Sequence, residues 1–279
     1  MKQINAAIYQ LNRNVWLLTH NGNQVTCPFC RTKLDALMPL GKKYLVPPRM
    51  IIHEDRENCF CPRCRSVDRE IHIWLYLKEK NLLDFSSKKT MLHVAPEPNL
   101  RKNFSANQNI NYVSGDLVPK HTKAKFKIDI TKIDFDDNHF DFIICNHVLE
   151  HIIDDLKAMK ELFRVLKPGG WAILQVPLDP SREISLEDTS ITSPKERLRM
   201  FGQEDHVRIY GRDYVSRLEK AGFEVKVDTS LSTKTEVVKK YGLIKKEPIF
   251  FCRKAPQIIQ RHSRSAYLEH NRNLIEIEC

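Results

Sequence analysis

The pattern of apolar and polar residues changes at about residue 66. Upstream, residues 21–65 are rich in cysteine and proline and too broken to build an apolar core of their own. Downstream, short β-type runs alternate with helical stretches, and such alternation is typical of an α/β fold with helices on both faces of a parallel sheet. The pattern predicts strands at 90–95, 110–115, 140–146 and 171–177, and helices at 67–81, 97–106, 152–166 and 211–221.

Both ends of the chain depart from this alternation. Ile4, Ile8, Leu11 and Val15 have the spacing of one apolar face of a helix. Near the other end, two runs indicate final strands that pair antiparallel at one end of the sheet, at 222–230 and 247–254. We therefore divide the chain into a helical segment (1–20), a cysteine-rich module (21–66), a connecting helix (67–87), an α/β domain (88–255) and a C-terminal extension (256–279).

Length and composition fit that division. A chain of 279 residues accommodates one full α/β domain and a small appendage. The net charge of +10 favours anionic partners, although the basic residues are interrupted by apolar residues and acids. The opening segment has no uninterrupted apolar run, so we expect no signal peptide and no membrane span. The expected location is the cytoplasm, where thiols stay reduced.

Two C-x-x-C motifs stand in the cysteine-rich module. One C-x-x-C turn brings two thiolates to one metal ion, and two such turns complete a closed tetrahedral zinc site with no open position for catalysis. A structural zinc ion therefore fits better than a redox dithiol or a catalytic metal, and it supplies the folding free energy that the module lacks. The predicted ligands are Cys27, Cys30, Cys61 and Cys64, with Cys59 and His53 as bystanders and Cys145 and Cys252 as buried core thiols.

A longer stretch carries a resemblance to a known family. Residues 140–171, FDFIICNHVLEHIIDDLKAMKELFRVLKPGGW, resemble the fourth strand, following helix and glycine turn of class I S-adenosylmethionine-dependent methyltransferases of the type 11-like kind. The resemblance covers residues 88–255 and implies a Rossmann-like fold with a mostly parallel seven-stranded sheet. With the zinc knuckles, the chain resembles a narrower group that carries an N-terminal zinc-ribbon module.

The resemblance also implies a cofactor site at the carboxyl ends of the strands, where ligands bind in open parallel sheets. The first loop, through Ala95 and Glu97, would approach the cofactor, but it contains prolines where the family usually has glycines. The other implied residues are Asp116 for the ribose hydroxyls, Asp129 and Ile130 beside the adenine, and Asn146 and His147 near the methionine part and the methyl group.

Histidines near that site are the candidates for catalysis. A hydroxyl or ammonium acceptor needs a base, and His147, His151 and His206 are the predicted catalytic residues, with His206 the preferred base if the loop that carries it is functional. His206 belongs to the polar run GQEDHVR at 202–208, which is either a cap over the crevice or an exposed loop. If it is a cap, the predicted substrate-binding residues are Asp205, Arg208, as a clamp for an anionic acceptor, and Tyr210.

Three functions compete. The first is methyl transfer to an oxygen or nitrogen of a small molecule or a saccharide-like metabolite, which is anionic if Arg208 binds it. The second is an RNA methyltransferase whose zinc module grips the nucleic acid, although that module lacks interleaved aromatic residues. The third is a non-catalytic zinc-ribbon binding protein with a vestigial methyltransferase fold. Cofactor binding distinguishes the third function, and salt-dependent RNA affinity distinguishes the second.

Overall fold

The structure is a computed structural model that describes residues 2–40 and 56–256. Among the described residues, its N-terminal part contains the helix α1 (Lys2–Thr19) and two antiparallel strand pairs, β1 with β2 and β3 with β4. These strands are β1 (Val25–Thr26), β2 (Lys33–Leu34), β3 (Met38–Leu40) and β4 (Arg56–Phe60). His53 and the predicted C-terminal extension beyond residue 256 lie outside the described residues.

Nine further strands follow in the described part of the chain. They are β5 (Lys89–Val94), β6 (Ile110–Asp116), β7 (Phe126–Lys127), β8 (Phe140–Asn146), β9 (Leu166–Gln175), β10 (Leu186–Glu187), β11 (Arg208–Ile209), β12 (Glu224–Asp228) and β13 (Ile249–Arg253). All but β10 and β11 join one sheet in the order β12-β13-β9-β8-β5-β6-β7. The final strand β13 is antiparallel to β12 and β9, and the other pairs are parallel. The predicted antiparallel pair is confirmed.

Helices cover both faces of this sheet. The strand residues Phe142 and Ile144 pack towards α2 and α3, whereas their neighbours Ile143 and Cys145 pack towards α5 and α7. The helices are α2 (Asp68–Glu79), α3 (Pro98–Ser105), α4 (Pro119–Thr122), α5 (Asp155–Val165), α6 (Pro194–Phe201), α7 (Tyr214–Lys220) and α8 (Thr235–Tyr241). Among the described residues, we find no helix that is both long and apolar enough to cross a lipid bilayer.

Element boundaries differ from prediction at the helix after β8. The predicted helix at 152–166 begins at Asp155, because residues Leu149–His151 first form a turn of 3₁₀ helix. Asp154 then accepts a hydrogen bond from the backbone N–H of Lys157 and caps α5. The next strand, β9, begins directly at Leu166 and not after the Pro-Gly-Gly turn. The turn Leu149–His151 therefore lies just beyond the carboxyl end of the central strand β8.

The predicted apolar face of α1 is wrong. Leu11 is 61% exposed, and Ile8 and Val15 are also exposed. The buried side of α1 carries Arg13, whose guanidinium donates hydrogen bonds to the backbone carbonyls of Pro62 at 2.6 Å and Arg63 at 3.1 Å. The helix therefore binds the second C-x-x-C turn through polar contacts, which a hydrophobic pattern does not reveal.

A buried carboxyl group joins α2 to the sheet. Glu70 is only 2% exposed; one oxygen accepts from the backbone of Val67 and from the side chain of Asn99, both at 3.1 Å. Its other oxygen has no hydrogen-bond partner among the described residues. Burial raises the pKa of Glu70 to about 8, with the Glu97 carboxylate adding to the effect. The acid is therefore mostly protonated at neutral pH.

This pKa predicts that Glu70→Gln stabilises the protein in alkali. Between the ordinary pKa of about 4.5 and about 8, the folded state holds a proton that the unfolded state has lost, so stability falls as the pH rises. Glutamine removes that loss, and we expect a gain of about 1–3 kcal/mol at pH 9 and almost none at pH 5. Urea unfolding at both pH values measures it. The exposed Glu219→Gln is the control, and an equal effect at both pH values would contradict the prediction.

Candidate functional site

The four predicted metal ligands come together in the N-terminal module. The Sγ atoms of Cys27 and Cys64 lie 3.5 Å apart, and those of Cys30 and Cys61 lie 3.6 Å apart. All four sulfurs lie within 4.8 Å of one another. Around one tetrahedral zinc ion, thiolate sulfurs are separated by about 3.8 Å, so the cluster has the size of a metal site.

The two C-x-x-C turns have the same conformation. In each, the fifth residue donates its backbone N–H to the carbonyl of the first cysteine at 2.9 Å, and that residue, Arg31 or Arg65, has a positive φ. The Ser66 hydroxyl lies within 3.4 Å of the sulfurs of Cys27 and Cys64 and is placed to hydrogen bond thiolates. Cys59 lies outside the cluster, against backbone carbonyls. The donor set therefore fits a closed four-thiolate site.

The expected cofactor crevice lies at the carboxyl ends of β5, β6 and β8. The order of the sheet reverses between β5 and β8, as ligand crevices in such sheets require. Glu97 follows β5, and its carboxylate accepts from Nε2 of His93 at 2.9 Å and from the side-chain amide of Asn146. Burial raises the pKa of Glu97, but the hydrogen bond and charge of His93 outweigh it, so the net pKa is below the ordinary value. An ionised carboxylate paired with His93 thus stands at the carboxyl end of β5.

The crevice fits a cationic nucleoside in two respects. The side-chain oxygen of Asn146 is buried without a hydrogen-bond partner among the described residues and is free to accept one from an ammonium group. A sulfonium and an α-ammonium are also attracted by the charge of Glu97. The glycine-free loop is accommodated because Ala95 itself adopts a left-handed φ of 46°. We therefore regard the residues as fitting S-adenosylmethionine.

The second and third predicted cofactor positions lie where the sequence placed them. Asp116 ends β6, and its carboxylate accepts from the backbone of Val118 at 2.7 Å and from the hydroxyl of Thr122 at 2.8 Å. Asp129 is exposed, and hydrogen bonds from Thr131 hold its pKa below the usual range. Ile130 is buried. Each of these carboxylates keeps acceptor capacity beyond its local bonds.

Histidines surround a buried carboxylate beyond the end of β8. His147 has a φ of 54° and follows Asn146 directly, and its Nδ1 lies 3.4 Å from a carboxylate oxygen of Glu150. Nε2 of His151 lies 3.9 Å from the same oxygen, and the rings of His151 and His206 are in edge contact. Burial lowers the pKa of His206 to about 4, which leaves its imidazole neutral and weakly basic at neutral pH. The structure therefore brings all three predicted catalytic histidines together.

The three predicted substrate-binding residues, in and just after the polar run at 202–208, differ in exposure. Asp205 is exposed, and its carboxylate lies 3.4 Å from Nδ1 of His151. Arg208 is 2% exposed and donates to the carbonyls of Leu149, Ile152 and Ile153 and to Glu187. Tyr210 is fully buried and donates to Asp155 at 2.8 Å. The side chains of Arg208 and Tyr210 hold the 3₁₀ turn in place. Because both are buried, they are not exposed to an acceptor as the sequence predicted.

Sequence reasoning missed Glu150 and Asn99. Glu150 lies in an apolar run of the sequence, and it is buried because residues 206–208 pack against it. In the sequence, only its position between His147 and His151 hinted at a role. Asn99 donates to the carbonyl of Cys64 at 3.4 Å and to Glu70 at 3.1 Å, and it joins the cysteine cluster to the loop after β5. No local motif marks such a contact.

Comparison with known proteins agrees with this architecture. A family model described as a methyltransferase domain matches residues 62–226, which is more than half of the chain. Demethylmenaquinone methyltransferase of Staphylococcus carnosus is 40% identical over 91 residues, 33% of this chain and 30% of that protein. The chloroplastic 2-phytyl-1,4-beta-naphthoquinone methyltransferase of Arabidopsis thaliana is 36% identical over 88 residues, 32% of this chain and 28% of that protein. The chain thus spans about a third of the length of these curated relatives.

A SAM-dependent methyltransferase from Archaeoglobus fulgidus matches with a TM-score of 0.45 at 13% identity, covering 67% of this chain and 94% of that chain. The family match begins in the second C-x-x-C turn and contains β5 to β9 with the crevice residues described above. The chain therefore belongs to the methyltransferase domain family.

Proposed function

We propose that the protein transfers a methyl group from S-adenosylmethionine to an oxygen or nitrogen of a small molecule or saccharide-like metabolite. The observation that carries this proposal is the pairing of two sites across the end of β8. On one side Glu97 and Asn146 form the acidic crevice that fits the cofactor. On the other side His147 stands beside Glu150. The partial likeness to quinone methyltransferases supports a small-molecule acceptor.

Each residue has a proposed part in this reaction. When bound, the cofactor supplies an electrophilic methyl group on a sulfonium. Asp116 holds the ribose hydroxyls and Glu97 attracts the cationic methionine end, while Asp129 and Ile130 flank the adenine. His147 takes the proton of the acceptor, and the Glu150 carboxylate orients its imidazole. We further propose that the four clustered cysteines hold a structural zinc ion in a reducing compartment such as the cytoplasm.

The direct test supplies methyl-labelled S-adenosylmethionine and the purified protein to a cell extract. We expect label in material that passes a small-pore filter and resists nuclease and protease. Label confined to nuclease-sensitive material would replace this proposal by an RNA methyltransferase, and label confined to protease-sensitive material by a protein methyltransferase. Absence of both transfer and heat of cofactor binding would indicate a non-catalytic protein.

His147→Asn tests the role of the histidine. Asparagine tolerates the left-handed φ of 54° but cannot take the proton, so we expect transfer to slow by roughly 10²-fold or more, with cofactor affinity nearly unchanged. The rate of label transfer and calorimetry with S-adenosylhomocysteine measure the two quantities. His139→Asn, at the opposite end of β8, is the matched control and should transfer methyl groups at the wild-type rate. Equal rates in both variants would exclude His147 as the base.

A further inference from the structure

A second group of ligating side chains lies apart from the cysteines, beyond the end of β8. One ligand atom each from Glu150, His151 and His206 lies within 4.8 Å of the others. Two chain segments build this group, because the backbone N–H of Val207 donates to the carbonyl of Glu150 at 2.9 Å and holds His206 against the 3₁₀ turn. The rings of His151 and His206 have centroids 4.7 Å apart.

The carboxylate of Glu150 is buried at the centre of this group and is placed to hold a cation. Its side chain is 1% exposed, and the contact with His147 does not satisfy the hydrogen-bonding capacity of its two oxygens. Imidazole nitrogens of His147 and His151 lie 3.4 Å and 3.9 Å from one of its oxygens. Burial of a carboxylate carries a large desolvation cost, and a bound cation would offset more of it than the neighbouring imidazoles do alone.

We infer that Glu150, His151 and His206 bind one divalent transition-metal ion, which in turn binds an oxygen of the methyl acceptor. Two imidazoles and one carboxylate suit Mn²⁺, Fe²⁺, Co²⁺ or Zn²⁺, whereas Ca²⁺ prefers oxygen ligands alone. Three protein ligands leave coordination positions open, in contrast to the closed set of four thiolates. Only an open site accepts groups from a substrate.

The catalytic consequence rests on the proposed function. An acceptor hydroxyl bound to the metal ion becomes more acidic, and its proton passes to His147 and then to water. The oxygen–methyl bond forms as the sulfur–methyl bond breaks, which gives the methylated acceptor, S-adenosylhomocysteine and one released proton. The site therefore narrows the acceptor from oxygen or nitrogen to an oxygen nucleophile.

The test is titration of the full-length protein with Mn²⁺, followed by electron paramagnetic resonance of the free ion. Mn²⁺ suits carboxylate and imidazole ligands, whereas thiolate clusters retain zinc, so the probe reports the second site. We expect one Mn²⁺ per chain in the wild type and affinity lowered about tenfold or more by Glu150→Gln or by His151→Ala. Glu204→Gln, an exposed acid of the same loop, is the matched control and should bind Mn²⁺ as the wild type does.

Two further readouts separate the outcomes. Enhanced relaxation of water protons by bound Mn²⁺ is expected from the open positions, and its absence would overturn acceptor binding at the metal. No Mn²⁺, Co²⁺ or Zn²⁺ uptake beyond the cysteine cluster, or equal uptake by the wild type and both variants, would overturn the site itself. Calorimetry with S-adenosylhomocysteine tests the proposed function separately, so metal binding without cofactor binding would leave the metal site standing and remove its catalytic role.

Discussion

Cys61→Ser is expected to release the metal ion from the N-terminal module and to unfold that module. Cys61 is fully buried within the four-sulfur cluster, and serine is a poor zinc ligand. Structural zinc sites contribute on the order of 10 kcal/mol of apparent binding free energy, which rivals the stability of a whole domain. Zinc content per chain and the thermal unfolding curve measure the effect.

The matched control lies two residues away. Cys59 is also buried, but its sulfur contacts backbone carbonyls and lies outside the cluster, so Cys59→Ser should keep the metal and cost only about 1 kcal/mol. A chelator added to the wild-type protein should reproduce the loss seen with Cys61→Ser. If Cys61→Ser retained one zinc ion and the wild-type melting temperature, the four-cysteine metal site would be excluded.

Asp116→Asn is the second substitution with a large expected effect. The asparagine oxygen still accepts from the backbone of Val118, so the turn after β6 is kept while the negative charge is lost. Charge-assisted hydrogen bonds to the ribose hydroxyls are worth about 2 kcal/mol, so affinity should fall roughly 30-fold. Calorimetry with S-adenosylmethionine and with S-adenosylhomocysteine measures the change.

The two ligands distinguish the causes of that fall. Both carry the ribose, but only the methyl donor carries the sulfonium, so equal losses identify the ribose contact and a loss confined to the donor identifies charge attraction. Asp188→Asn removes the charge of a similar turn, in which Asp188 accepts from Ser190, outside the predicted cofactor residues. That control should bind both ligands normally, and an unchanged affinity in Asp116→Asn would exclude the ribose contact.

The parts of the fold that depend on local pattern were predictable. Strand β8 occupies 140–146 as expected, because the apolar run 142–145, bounded by Asp141 and Asn146, fits a strand buried on both faces. The cysteine cluster was also predictable, since the spacing within each C-x-x-C turn is itself the ligand geometry. Both signals are contained in a few neighbouring residues.

Contacts between distant segments were not predictable. The apolar spacing of Ile8, Leu11 and Val15 favoured the wrong face of α1, because the buried face is held by hydrogen bonds from Arg13 to the second C-x-x-C turn. Burial of Glu150 likewise depends on a segment more than fifty residues further along the chain. Periodicity indicates which face of a helix is apolar. It does not indicate that an arginine on another face donates hydrogen bonds to the backbone carbonyls of a distant turn.

The hydrogen bonds of Asn99 connect the four-cysteine cluster to the loop at the expected methyl-donor site. Asn99 lies in the first turn of α3. Its side chain donates hydrogen bonds to the backbone carbonyl of Cys64, which is one of the four clustered cysteines, and to the carboxyl group of Glu70. Oxidation of the four cysteines, or removal of a bound metal ion, would disturb the anchor on Cys64. Loss of a metal ion from the cluster is therefore expected to loosen the loop after β5 as well as the module itself.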